Sequence, residues 1–256
     1  MSLTRLVLRF AAPVPQVESF QRYLFVGPHP DDIEIGAGAT AAKLTAAGKQ
    51  VTFLVCTDGR YGLEHAPKGT TTETLAKLRQ AEARASAQAL GVTDVRFLNF
   101  SDGGAYDLEA LVKAMAQIVG DVQPELIFAP DPDVTSECHI DHRNTGEAAK
   151  RLAFFAPFPE VMARYGAAPA PVQALAFYMT AKPNRFVKIG GLLNRQLDAI
   201  LCHRTQFPQD SEAFKSLSLY LKLRSVDFGL RSLKGRAEGF RVLGQTHMHC
   251  LPEAGQ

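Results

Sequence analysis

Apolar runs alternate with stretches of helical period along the first two thirds of this chain. Tyr23-Leu24-Phe25-Val26-Gly27 is apolar throughout and stops at Pro28-His29-Pro30, the pattern of a buried strand entering a turn. Gly36 to Ala47 then predicts a helix closed by Gly48. Val51 to Cys56 is a second strand, rich in β-branched residues and followed by the turn Thr57-Asp58-Gly59. Glu73 to Leu90 predicts a long helix with Gly91 as its C-cap. Val95 to Phe100 is a third strand, leading into the loop Ser101-Asp102-Gly103-Gly104. A helix over Leu108 to Val119 and a fourth strand, Leu126-Ile127-Phe128-Ala129, follow, and the strand ends at Pro130. Asp141 to Leu152 reads as helix and Ala174 to Met179 as strand. Phe154 to Pro171 is rich in Pro and Ala and predicts an irregular surface segment. Gly190 to Val226 predicts helix, and Gly239 to Gly244 a last strand. No repeat or low-complexity stretch interrupts the pattern.

Strands that alternate with helices of this length make βαβ units and a parallel sheet. The expected fold is a single Rossmann-like α/β domain over residues 23–256, its mostly parallel sheet flanked by helices, with residues 1–22 as an N-terminal extension. Ligands of such sheets bind beyond the carboxyl ends of the strands. His29, Asp58, Asp102 and the segment after Pro130 all follow strand ends, so they should gather along one edge.

Composition narrows the class. A chain of 256 residues with 46% hydrophobic content can bury one sizeable core. Net charge is +2, with acids and bases mixed and no sustained basic block, which argues against nucleic acid or a membrane surface as partner. Cys56, Cys138, Cys202 and Cys250 form no Cys-x-x-Cys pair, as expected of a reduced, cytoplasmic protein. The apolar stretch from Leu6 to Pro15 is broken by Arg9 and lacks the length of a signal sequence or a membrane span. A soluble protein is expected.

Chemistry concentrates in two segments. His29-Pro30-Asp31-Asp32 and His139-Ile140-Asp141-His142 each offer two metal-capable side chains three residues apart, with a spare carboxylate between them. A catalytic metal takes three protein ligands from His, Asp or Glu, keeps one position open, and needs an unligated base nearby. Taken alone, Asp31 or Asp32 could simply cap the helix that follows. A lone His is more often a core or surface residue than a ligand. Two on one turn, matched to the first segment, favour a metal site.

These two segments resemble those of the PIG-L/LmbE family of metal-dependent N-deacetylases. The resemblance extends to HPDDIEIGAGATAAK (29–43), Thr57-Asp58-Gly59, Arg79-x-x-Glu82 with Leu90-Gly91, Leu98 to Gly103, and Ala237-Glu238-Gly239-Phe240, in family order. It implies that His29, Asp32 and His142 hold Zn2+, with another divalent metal such as Fe2+ as an alternative. It further implies that Asp31 is the general base, that His139 polarises the amide carbonyl, and that Asp141 orients His139. Arg79 and Asp102 match positions that contact sugar hydroxyls. The implied activity is removal of an N-acetyl group from an N-acetylglucosamine-type sugar or conjugate, releasing acetate. Many relatives carry Glu directly after the paired aspartates; here Ile33 stands there and Glu34 follows. Relatives are often oligomeric, so a homo-oligomer is a possible state, with the segments before Tyr23 and after Val187 as candidate contacts.

Other readings compete. Gly36-x-Gly38-x-x-Ala41 fits a dinucleotide-binding turn, with Asp58 downstream, but His29 to Ile35 separates it from the strand it should follow at once. Small residues there also serve close packing. A non-catalytic sugar-binding module is the third reading, disfavoured by the intact Asp31 and His139. Without the resemblance, Arg79 reads as a solvated helix charge paired with Glu82. Glu238 and Tyr178 are candidates on resemblance alone. His247-Met248-His249-Cys250 reads as a frayed tail rather than a metal site, and Cys138 is not taken as a ligand.

Overall fold

The computed structural model describes residues 7–8, 10–249 and 251. Strand β1 (Arg22–Gly27) is followed by helix α1 (Asp32–Ala46), β2 (Gln50–Thr57), α2 (Thr72–Leu90), β3 (Asp94–Phe100), α3 (Leu108–Val122) and β4 (Leu126–Pro130). Then come α4 (Ile140–Phe155), the short α5 (Pro159–Arg164), β5 (Ala174–Tyr178), β6 (Arg185–Lys188), α6 (Leu192–Ile200), α7 (Glu212–Ser232) and β7 (Ala237–Gly244). The seven strands form one sheet in the order β3-β2-β1-β4-β5-β7-β6. The first five are mutually parallel; β7 runs antiparallel to both β5 and β6. This is the single α/β domain with a mostly parallel sheet that the alternating pattern predicts.

The apolar runs are continuous because helices cover both faces of the sheet, so neither alternate set of side chains meets water. Tyr23 and Phe25 of β1 join Phe53, Phe128, Tyr178 and Phe240 under α1 and α2. Leu24 and Val26 point the other way, with Leu54, Ile127 and Phe177, under α3 and α4. Phe25 stacks on Phe128 with ring centroids 4.1 Å apart. Full burial of side chains this size stabilises the fold by roughly 1.5–3 kcal/mol each.

The order of strands reverses about β1: β2 and β3 lie on one side, β4 and β5 on the other. The crevice beyond the ends of β1 and β4 is the switch point at which ligands of such sheets bind. Both candidate metal segments open on it.

Several local expectations change. Helix α1 starts at Asp32 rather than Gly36, and Ala37 (φ −153°, ψ 18°) breaks it into two parts. The expected start at Gly36 falls beside this break. Gly190 to Val226 is two helices, interrupted from Leu201 to Ser211, where Ser211 caps α7 by accepting the Phe214 N–H. Within Phe154 to Pro171, α4 runs on through Phe155, and Pro159 opens α5, whose Met162 is fully buried. Strand β6, four residues long and half-buried, carries too little pattern to be read in advance. Val17 and Phe20, ahead of β1, are buried in the core, and the Tyr23 hydroxyl donates to both their carbonyls. No helix among the described residues is long and apolar enough to cross a membrane.

Candidate active site

The turn after β1 is tightly wound. The Asp31 N–H donates to the His29 carbonyl at 2.9 Å, and Thr57 at the end of β2 donates to the Pro28 carbonyl through both its N–H and its hydroxyl. Asp31 itself adopts φ 157°, ψ −22°, a conformation side-chain-bearing residues rarely take. That turn buries His29, Asp31 and Asp32 together at one strand end.

Asp32 is the centre of the cluster. Its Oδ2 accepts from the His29 N–H at 2.9 Å and lies 3.0 Å from His29 Nδ1; its Oδ1 lies 3.4 Å from His142 Nε2. One ligand atom each from His29, Asp32 and His142 fits within a mutual 4.8 Å. Behind the imidazoles stand two more carboxylates: His29 Nε2 is 3.1 Å from Asp141 Oδ2, and His142 Nδ1 is 3.1 Å from Glu137 Oε2. The Asp141 carboxylate hydrogen-bonds the His29 ring and orients it, whereas Glu137 stands beside His142 as a charge without a hydrogen bond to its buried Nδ1. The donor set of two imidazoles and a carboxylate therefore fits a divalent metal. A second group, His29 with His139 and Asp141, is equally close. Its Asp141 carboxylate is already committed, which makes it the poorer metal site.

In the metal-free protein the cluster balances its own charge. Burial opposes charging of His29, but hydrogen bonds to Asp141 and Asp32 outweigh it and raise its pKa to about 10. Burial likewise opposes the charge on His142, yet Asp32 raises its pKa. Asp32 is held well below the carboxylate range, against burial, by His142 and His29. Asp32 thus favours the charged form of both neighbouring rings, and a metal would compete with their protons.

Asp31 behaves oppositely to its neighbour. Burial raises its pKa, and the charge of Asp32 adds to the rise, while Arg79 pulls it down. Arg79 donates to Asp31 Oδ2 at 3.0 Å and to the carbonyls of Gly59 at 2.9 Å and Pro30 at 3.3 Å. It is not the solvated partner of Glu82, which binds Thr205 instead. Only 4% of Arg79 is exposed, and its Nε has no partner. Asp102 is similarly half-satisfied: Oδ2 accepts the Tyr61 N–H at 3.3 Å, and the buried Oδ1 has none. Both residues line an open cavity of about 410 Å3, together with His29, Asp31, Asp32 and His139. A buried unpaired acceptor costs about 1–3 kcal/mol until something donates to it.

Asp141 is fully buried and accepts from the N–H groups of Gly103 and Gly104 at 2.7 and 2.9 Å and from the Tyr106 hydroxyl at 2.8 Å. These bonds and His29 hold its pKa at about 2, against the cost of burial. Its carboxylate serves His29; the Nδ1 of His139 is 3.8 Å from it. His139 is oriented by the Asp141 backbone instead, whose N–H donates to His139 Nδ1 at 3.3 Å. Nδ1 is therefore the acceptor, and Nε2 carries the proton of the neutral ring. Burial and the neighbouring His29 and His142 lower the pKa of His139, favouring that neutral form.

The sequence reading did not find Glu137, Tyr106 or the buried pair His203 and Glu34, whose Nε2 and Oε1 are 3.4 Å apart. Tyr106 and the pair His203–Glu34 meet partners on other elements, beyond what spacing can show, while Glu137 lies five residues before His142 but carries no motif of its own. The glycines of the dinucleotide-like stretch pack closely: a Cβ on Gly36 would meet the Tyr178 ring at 2.2 Å, and one on Gly38 the Gln196 side chain at 3.0 Å. Tyr178 donates its hydroxyl to the Val26 carbonyl. His247 binds the backbone of Gly244 and Ala12, away from the site, and Cys250 lies outside the described residues.

Known proteins resemble this chain over much of its length. The profile of the family described as PIG-L, GlcNAc-PI de-N-acetylase, matches residues 24–153. The diacetylchitobiose deacetylase of Thermococcus kodakarensis is 32% identical over 98% of this chain and 93% of its own. A 1D-myo-inositol 2-acetamido-2-deoxy-alpha-D-glucopyranoside deacetylase of Kineococcus radiotolerans is 29% identical over 69% of this chain and 56% of its own. Among solved structures, the N,N'-diacetylchitobiose deacetylase of Pyrococcus horikoshii superposes with a TM-score of 0.86 at 31% identity, covering 98% of this chain and 97% of that one.

Proposed function

The chain belongs to the PIG-L family of de-N-acetylases, and on that premise we propose that it is a metal-dependent hydrolase removing the N-acetyl group from an N-acetylglucosamine conjugate. The observation that carries the proposal is the convergence of His29, Asp32 and His142 ligand atoms within 4.8 Å, with the unligated Asp31 beside them. The substrates named for both kinds of relative carry a second ring on the glucosamine unit, which supports a conjugate rather than the free monosaccharide. The dinucleotide reading has no support, since Gly36 and Gly38 lie inside helix α1 and are filled by Tyr178 and Gln196.

His29, Asp32 and His142 would hold the metal, which we assign as Zn2+ with Fe2+ as the alternative. When bound, it would lower the pKa of the attacking water and polarise the acetyl carbonyl. Asp31 takes the proton of that water; burial makes it a stronger base than a surface aspartate, and Arg79 fixes the carboxylate in place. His139 donates its Nε2–H to the oxygen that becomes anionic as the carbonyl is attacked. Protonated Asp31 then returns its proton to the leaving nitrogen. The C–N bond breaks, giving acetate and a free amino sugar. Asp102, whose Oδ1 has no partner, would accept from a sugar hydroxyl, while Arg79 is committed to holding Asp31. The free Cys56, Cys138 and Cys202 support a cytoplasmic location.

An acetate-release screen over N-acetylglucosamine conjugates, using enzyme loaded with Zn2+ or Fe2+, tests the proposal. Release from at least one glycoside is expected. No release from any N-acetylated sugar, with metal bound, would overturn it.

A further inference from the structure

The cavity beside the metal residues is charged at its base, but its lip carries an aromatic ring. Tyr61 is 61% exposed and lines the cavity with Asp102 and His139. Its backbone is nonetheless fastened on both sides. The Tyr61 N–H donates to Asp102 Oδ2, and Gln206 Nε2 donates to the Gly62 carbonyl at 2.7 Å. Gly62 is pressed so closely on Gln206 that a Cβ there would fall 2.7 Å from Oε1. Gly103, at φ +85°, lies beside the Tyr61 ring, where an added Cβ would come to 3.8 Å of it, so the ring stands next to the loop that carries Asp102. An exposed ring on an anchored backbone is preorganised to bind something flat.

A pyranose or cyclitol ring offers a face of C–H groups, which an aromatic face removes from water and attracts through its negative quadrupole. With the acetamido group at Asp31 and His139, and hydroxyls at Asp102, the rest of a conjugate must leave the cavity past its lip. We infer that Tyr61 is the platform of a second subsite, on which the ring attached to the N-acetylglucosamine unit stacks. This rests on the deacetylase reading above. The subsite takes an uncharged saccharide or cyclitol ring and discriminates a two-ring substrate from the free monosaccharide.

Stacking on a ring remote from the reacting bond binds ground and transition states alike, so its loss raises KM and spares kcat. The test compares N,N'-diacetylchitobiose with N-acetylglucosamine, using wild type, Tyr61→Ala and Tyr61→Phe. Wild type should favour the disaccharide in kcat/KM. Tyr61→Ala should shrink that preference about tenfold, through the KM of the disaccharide, and Tyr61→Phe should keep it. Calorimetric binding of the same two sugars to the metal-free protein gives the same ratio without turnover. It separates failure of the subsite from failure of the activity. A preference unchanged by Tyr61→Ala in kinetics and binding alike, or lost equally in Tyr61→Phe, overturns the inference.

Discussion

Helix α1 begins twice, and a buried carboxylate waits at each beginning. At its first turn stand Asp31 and Asp32; at the break around Ala37, the carboxylate of Glu238 reaches over from β7 to accept the N–H groups of Ala39 and Thr40 at 3.2 and 2.7 Å. The partners differ in kind. Glu238 binds backbone donors that the break leaves without an intrahelical acceptor. Asp31 and Asp32 bind side chains instead: the permanently charged Arg79 holds Asp31, and His29 and His142, which can exchange a proton for a metal, hold Asp32. A buried carboxylate satisfied by backbone amides belongs to the fold. One satisfied by charged side chains beside an open cavity is a candidate for chemistry.

Substitutions at the two beginnings should therefore fail in different currencies, activity at one and stability at the other. The largest expected effect is at Asp31. Asp31→Asn removes the base and leaves the three ligands, so kcat should fall on the order of a thousandfold while bound metal stays near wild type. His142→Ala, by contrast, should lose metal affinity itself. Metal analysis beside the rate assay decides: metal lost from Asp31→Asn would exchange the roles of Asp31 and Asp32.

Arg79 gives the next effect and sharpens the division. The resemblance made it a sugar contact, but its hydrogen bonds go to the base and to the two carbonyls that shape the base's turn. Arg79→Ala should lower kcat about a hundredfold, consistent with loss of charge-assisted hydrogen bonds worth roughly 1.5–3 kcal/mol. If it positions Asp31, the loss falls equally on a sugar substrate and on a simple N-acetylated amine. A loss confined to the sugar would return Arg79 to hydroxyl binding alone.

How far the sequence could reach follows from what each residue leans on. The four central strands were legible because burial on both faces leaves no polar interruption. The metal segments were legible because residues three apart at a strand end face one point. The support of each ligand was not. His29 and Asp141 are 112 residues apart and Arg79 and Asp31 48 apart, so only the order of strands in the sheet brings them together. The role assigned to Asp141 shows the consequence. Its neighbour in sequence, His139, suggested itself as partner, while the carboxylate turns to His29 and the backbone N–H serves His139. The break at Ala37 was hidden for a similar reason: Glu238, which accepts the N–H groups beyond it, comes from β7.

The smallest expected effect isolates the second beginning of α1. Burial raises the Glu238 pKa from 4.5 to about 7, although the amides of Thr40 and Ala39 favour its charged form. A carboxyl whose folded pKa lies above its unfolded value keeps more protons folded than unfolded between the two. Its contribution is fully present below about pH 4.5 and is lost as pH rises through about 7. From pH 5 to pH 7 the loss amounts to about 2 kcal/mol. Urea unfolding of metal-free wild type and Glu238→Gln over that range should therefore show wild type losing stability relative to the variant as pH rises, since Gln cannot ionise. The rate per bound metal in Glu238→Gln should stay within a few-fold of wild type, because the side chain lies outside the cavity that holds Asp31. A parallel pair of stability curves would mean that the amides of Ala39 and Thr40 already keep Glu238 charged at pH 5, and that this helix break is capped by an anion throughout.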